Sequence, residues 1–125
     1  MAPLVLYIED NHDNLVLVRR ILRAESIDLL EATSAQEGIA LAEEHVPDLI
    51  LMDINMPGMD GLAATSHLRQ LPELHDVPIV AVTANVMREV LEETLAAGCN
   101  GYIPKPIDID TFINEVLSYL NGRRK

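Results

Sequence analysis

The chain contains no tryptophan, one phenylalanine and three tyrosines, so its interior has to be built from aliphatic side chains and methionine rather than from aromatic contacts. A single cysteine, Cys99, excludes an internal disulfide and agrees with a reducing compartment. It reads as a small core filler. Basic residues are also scarce: nine Lys and Arg stand against twenty Asp and Glu, a formal net charge of -11. That balance repels phosphate backbones and anionic lipid, which argues against direct nucleic-acid binding and membrane insertion and leaves metal cations open as partners. No apolar stretch approaches the ~20 residues of a membrane helix, and the N-terminus lacks a basic region followed by an apolar core. The expected location is the cytoplasm.

What is present describes an ordinary globular chain. Its 125 residues are 49% hydrophobic and 23% charged, which fits one domain burying roughly two-thirds of its unfolded surface. Short apolar runs alternate with longer stretches of helical period. The runs are Leu4 to Ile8, Ile27 to Ala32, Leu49 to Met52, Ile79 to Val82 and Gly101 to Ile103. Three are nearly continuous, as expected of parallel strands covered on both faces, while the second alternates like a half-exposed edge.

Between the runs, Leu15, Val18 and Leu22 mark one helical face, and Ser34-Ala35-Gln36-Glu37 has the capping-box form before a second helix that Pro47 closes. A third helix is expected from near Gly61 with Leu62 and Leu68 inward, and a fourth from about Val86 to Ala97 before Gly98. A fifth, capped by Asp108, carries Ile109, Phe112, Ile113, Val116 and Leu120 on one stripe. The pattern is (βα)5. It predicts an α/β, doubly wound, flavodoxin-like parallel sheet of order 2-1-3-4-5, with ligands bound beyond the strand ends where the order reverses, between strands one and three.

Strand one ends at Glu9-Asp10 and strand three at Asp53, so this order brings three carboxylates together. Two unit charges ~4 Å apart repel by about 4 kcal/mol at an effective dielectric of ~20. Either one acid holds a proton or a cation is bound, and a divalent ion with oxygen ligands is the economical answer: Mg²⁺, with Mn²⁺ as the alternative. Thr83 and Lys105 end strands four and five on the same rim, adding a hydroxyl and a point cation. Carboxylate nucleophile, metal and lysine together make a phosphoryl site whose product is an aspartyl phosphate on Asp53.

With these residues the sequence resembles the receiver domain of two-component response regulators, from about Leu4 to Leu120. Glu9 and Asp10 resemble the family's acidic pair, and Asp53, within Leu51-Met52-Asp53-Ile54-Asn55-Met56-Pro57-Gly58-Met59-Asp60-Gly61, resembles its phosphoacceptor. The resemblance implies that the backbone carbonyl of Asn55 also binds the metal. Thr83 followed by Ala84 resembles the switch hydroxyl and its small neighbour, Tyr102 the aromatic switch residue, and Lys105-Pro106 the lysine with its usually cis proline. Glu9 is one methylene longer than the aspartate often found there. Residues 1–125 are read as one receiver domain, core about 4–120.

The resemblance further implies a histidine kinase or histidine phosphotransfer protein as phosphoryl donor and a downstream protein, unidentified, that reads the surface of helix four, strand five and helix five. Val86, Met87, Val90, Leu91 and Leu95 span more of helix four than one core stripe requires. In this reading the chain is a phosphoacceptor switch rather than an enzyme, with self-phosphorylation from small donors and autodephosphorylation as its own chemistry. The alternatives are a degenerate scaffolding receiver and a haloacid-dehalogenase-like phosphatase. The second needs an acid two residues after the nucleophile, and Asn55 stands there. His12, His45, His67 and His75 lack metal-ligand spacing and read as surface residues, and Arg123-Arg124-Lys125 reads as a frayed tail.

Overall fold

The computed structural model describes residues 2–56 and 60–123, with side chains up to 121. Pro57, Gly58 and Met59 of the loop after Asp53, and Arg124 and Lys125 of the tail, lie outside the described residues. Five strands, β1 (Leu4–Ile8), β2 (Asp28–Ala32), β3 (Leu49–Asp53), β4 (Ile79–Thr83) and β5 (Gly101–Pro104), alternate with α1 (His12–Ala24), α2 (Ala35–His45), α3 (Gly61–Arg69), α4 (Arg88–Ala96) and α5 (Ile109–Arg123). All strand pairs are parallel and the order is β2-β1-β3-β4-β5, as the alternation of runs predicts.

The central strands are apolar up to their last residues, Asp53 in β3 and Thr83 in β4, because helices cover both sheet faces. Val5, Tyr7, Leu49, Leu51, Val80 and Val82 meet α1 and α5 through Val18, Leu22, Phe112 and Val116. On the opposite face Leu6, Ile8, Ile50, Met52, Ile79 and Ala81 meet Ala42 of α2 and Leu68 of α3. Each fully buried Leu, Ile or Val stabilises by roughly 1.5–3 kcal/mol. No helix among the described residues is long and apolar enough to cross a membrane.

Several local expectations need correction. The second strand begins at Asp28, after Ile27, and does not alternate: Leu29, Leu30 and Glu31 are all half-buried, because Leu29 packs toward the first core layer and Leu30 toward the second. The fourth helix starts at Arg88, not Val86. Asn85 Oδ1 accepts the Met87 N–H and holds a turn there, and Met87, at the N-cap, provides no side-chain cap. Leu62 is only half-buried, and α3 buries Ala64, Thr65 and Leu68 instead. Ile109, assigned above to the core stripe, is 56% exposed. As the first residue of α5 it lies beyond the sheet, and Ile107 packs on the core in its place. A short 3₁₀ turn at Pro72–Leu74 follows α3.

Helix ends follow their capping residues. Asn11 accepts the Asn14 N–H at the start of α1, Ser34 the Glu37 N–H at α2, Asp60 the Leu62 and Ala63 N–H groups at α3, and Asp108 the Thr111 N–H at α5. Glu37 reaches back to the Thr33 N–H. These caps fix where each βα loop ends, and so fix the rim on which the charged strand ends stand.

Candidate functional site

Ile8 pairs with Met52, so Glu9 and Asp53 are the next residues on adjacent strands. Strand period places Tyr7, Glu9, Leu51 and Asp53 toward the α1 and α5 side. Glu9 continues the ladder with its N–H on the Ala32 carbonyl, and Lys105 does so with its N–H on the Thr83 carbonyl. Backbone pairing thus delivers two acids and a lysine to one rim. Carboxylate oxygens of Glu9, Asp10 and Asp53 lie within 4.8 Å of one another. Glu9 is fully buried, Asp53 is 3% exposed, and Asp10 is exposed at the mouth.

Lys105 Nζ donates to Asp53 Oδ2 at 2.9 Å and lies 3.1 Å from Glu9 Oε1. Its peptide bond to Pro106 is cis. Asp53 Oδ1 accepts the Asn55 N–H at 2.8 Å. Glu9 Oε1 also accepts from the Tyr7 hydroxyl at 2.9 Å and from Asn14 Nδ2 at 2.8 Å. Glu9 Oε2, by contrast, is buried without a hydrogen-bond partner.

One lysine cannot neutralise three acids, and the carboxylates divide accordingly. Burial, then the adjoining Glu9 carboxylate, push Asp53 up to about 6 against the pull of Lys105 and the Asn55 N–H. Burial acts on Glu9 as well, but the adjoining Asp53 carboxyl, which takes up the proton in its place, and the donors Asn14, Lys105 and Tyr7 outweigh it and hold Glu9 down to about 2. Burial of Lys105 is likewise outweighed by Asp53 and Glu9, so its ammonium is held above the ordinary lysine range. At neutral pH the pocket therefore carries surplus negative charge, with a bare buried carboxylate oxygen. Hard oxygen donors, net negative charge and an orphaned Oε2 fit Mg²⁺.

Not every candidate residue joins this cluster. Thr83 follows Ile79 and Ala81 on the opposite face of β4. It is buried, and its hydroxyl accepts the Asn85 N–H at 3.0 Å and donates to the Asn85 carbonyl at 3.2 Å. Ala84 is exposed, and its N–H donates to Asn55 Oδ1 at 2.9 Å. Tyr102 lies on edge strand β5, 39% exposed. Four contacts lie beyond the sequence expectations: Tyr7 and Asn14 on Glu9, the Asn55 side chain on Ala84, and Asn85 on Thr83. For Tyr7 a signal existed, a hydroxyl two residues before a strand-end acid and hence on its face.

The chain matches the family model described as response regulator receiver domain over residues 5–117. It is 41% identical over 120 residues to the polar-differentiation response regulator DivK of Brucella suis and to that of Brucella abortus, covering 96% of this chain and 98% of each relative. Among solved structures, it resembles the receiver domain of a sensor histidine kinase from Pseudomonas aeruginosa PAO1, which has a magnesium ion coordinated in its active site cleft. The TM-score is 0.88 with 29% identity, over 97% of this chain and 99% of that one. The chemotaxis protein CheY4 of Vibrio cholerae shares the fold, with TM-score 0.91 and 24% identity over 95% and 99% of the two chains. By sequence and by architecture, then, the chain belongs to the response regulator receiver domain family of two-component signalling.

Proposed function

We propose that the protein accepts a phosphoryl group on Asp53 from a phosphohistidine of a histidine kinase or histidine phosphotransfer protein, and that residues 1–125 act as one switch unit. The observation that carries this reading is the pairing of Asp53 with Lys105 beside the surplus carboxylates Glu9 and Asp10. An Asp53 carboxylate oxygen attacks phosphorus, the phosphorus–nitrogen bond of the donor breaks, and the imidazole leaves with its electron pair. Lys105 holds positive charge where the phosphoryl oxygens arrive. Glu9, Asp10, Asp53 and the Asn55 backbone carbonyl would hold Mg²⁺, which supplies charge neutralisation of those oxygens when bound.

The switch follows from the partners that Thr83 and Ala84 now have. Their hydroxyl and N–H would leave Asn85 and Asn55 for the phosphoryl oxygens. A shift from 1:99 to 99:1 takes about 5.5 kcal/mol, and charge-assisted hydrogen bonds contribute roughly 1.5–3 kcal/mol each against about 1 for the neutral ones given up. Tyr102 would turn inward as Thr83 moves. The surface of α4, β5 and α5 is the proposed readout for a downstream protein. It is supported by Leu95 of α4 at 55% exposure and by Val86 and Met87, just before that helix, at 50% and 63%; the buried residue of α4 is Thr94. The test is intact-mass spectrometry after incubation with a small acyl-phosphate donor. Wild type should gain one phosphoryl group with Mg²⁺ and none with chelator, and Asp53→Asn should gain none. Undiminished labelling of the variant would overturn the assignment.

A further inference from the structure

Tyr7 is a buried phenol in the middle of an otherwise aliphatic strand, and nothing in the phosphoryl-transfer chemistry calls on it. It is fully buried against the α1 and α5 layer, the largest completely buried side chain among the described residues. Placing a hydroxyl there costs free energy unless it finds a partner. Its partner is Glu9 Oε1 at 2.9 Å, two residues on along the same strand face. A carboxylate oxygen only accepts, so the phenol is the donor in this pair.

Asn14 reaches the same oxygen from the first turn of α1, through Nδ2 at 2.8 Å, and Lys105 Nζ approaches it at 3.1 Å. A carboxylate oxygen has about two lone-pair directions. Three donors saturate Oε1 and leave it nothing for a cation. The other oxygen, Oε2, is buried and has no partner, although Glu9 lies within the three-acid cluster.

We infer that Tyr7 and Asn14 are positioning residues of the cation site: by saturating Oε1 they fix the Glu9 carboxylate so that Oε2 alone is presented to the metal. The inference rests on the Mg²⁺ reading above. It also explains how a glutamate, with one more rotatable bond than aspartate, holds a defined ligand oxygen here. The clamp removes the freedom that the extra methylene adds, and two of its three donors are neutral groups that do not compete with the cation for charge.

The test is calorimetric titration of MgCl₂ into wild type, Tyr7→Phe and Asn14→Ala, with no phosphodonor present, beside urea unfolding of each metal-free protein. Partners that orient a metal ligand typically change affinity by ~10–100-fold when removed, so each variant should weaken Mg²⁺ by about tenfold at unchanged fold. Tyr7→Phe keeps the ring and its packing, and Asn14→Ala alters a half-buried helix position, which gives two independent routes to a folded variant. If the roles were merely structural, the unfolding midpoints would fall while the Mg²⁺ dissociation constants stayed at the wild-type value, and that result overturns the inference. Wild type that binds no Mg²⁺ overturns the metal reading and this inference together, whereas binding by wild type with unchanged variants overturns this inference alone.

Discussion

Replacing Asp53 by asparagine should stabilise the metal-free protein above neutral pH. The folded Asp53 carboxyl titrates at about 6 against an ordinary value of 3.8, so its ionised form is disfavoured by roughly 3 kcal/mol in the fold. A raised carboxyl contributes stability that is complete below the unfolded value and is lost as pH rises through the folded one. Above about pH 7 wild type therefore carries the whole penalty, and an amide, which cannot ionise, escapes it. The amide oxygen still accepts the Asn55 N–H now held by Oδ1, but its NH₂ group would face the Lys105 ammonium where Oδ2 now accepts, a loss of about 2 kcal/mol for a charge-assisted bond. The net expectation is a gain of about 1 kcal/mol near pH 8, reversing by about pH 4. Urea unfolding followed by circular dichroism suits a chain without tryptophan. Mg²⁺ at a hundredfold excess over Kd should then stabilise wild type by about 2.7 kcal/mol and reverse the order. A difference between the two proteins that does not change with pH would refute the reasoning.

Other consequences of the same geometry can be measured separately. Mg²⁺ binding should weaken about tenfold per unit as pH falls below about 6, because the proton on Asp53 must leave first, and level off above it; a flat calorimetric profile from about pH 5 to 7 would count against this. Lys105→Met breaks contacts to two buried carboxylates, so metal-free stability near pH 8 should drop by about 3–5 kcal/mol. The drop should be smaller near pH 5, where Asp53 is mostly protonated, and after labelling, the amide shifts of α4 should no longer respond. Arg69→Met should cost about 2–4 kcal/mol in urea unfolding, since its guanidinium donates to the Gly98, Leu74 and Val77 carbonyls and to Asn100; a loss under about 1 kcal/mol would show that water replaces them.

The architecture was legible because each strand is a short apolar run ending in a charged or hydroxyl residue, and strand order then converts sequence positions into neighbours. Glu9 and Asp53 could be brought together from that order alone, and Lys105 was placed on the same rim because β5 ends beside Thr83. The side-chain contacts were less accessible. Asn55 Oδ1 meets Ala84 across two loops, and Arg69 caps carbonyls of turns distant in sequence, so no periodicity reports either. Ile109 misled because helical period continues the apolar stripe past the point where α5 leaves the sheet. Thr83 illustrates the same limit: its place at a strand end was readable, but its hydroxyl is engaged by Asn85 on the other face.

In the proposed function one atom group, the Asp53 carboxylate, forms the acyl phosphate. Borohydride reduces an acyl phosphate to the alcohol and leaves free carboxylates intact, so reduction after phosphodonor treatment followed by peptide sequencing reads the position directly. Homoserine is expected at position 53 in the presence of Mg²⁺, and aspartate there when the donor is omitted. Homoserine at Asp10 or Asp60 with position 53 unchanged would contradict it.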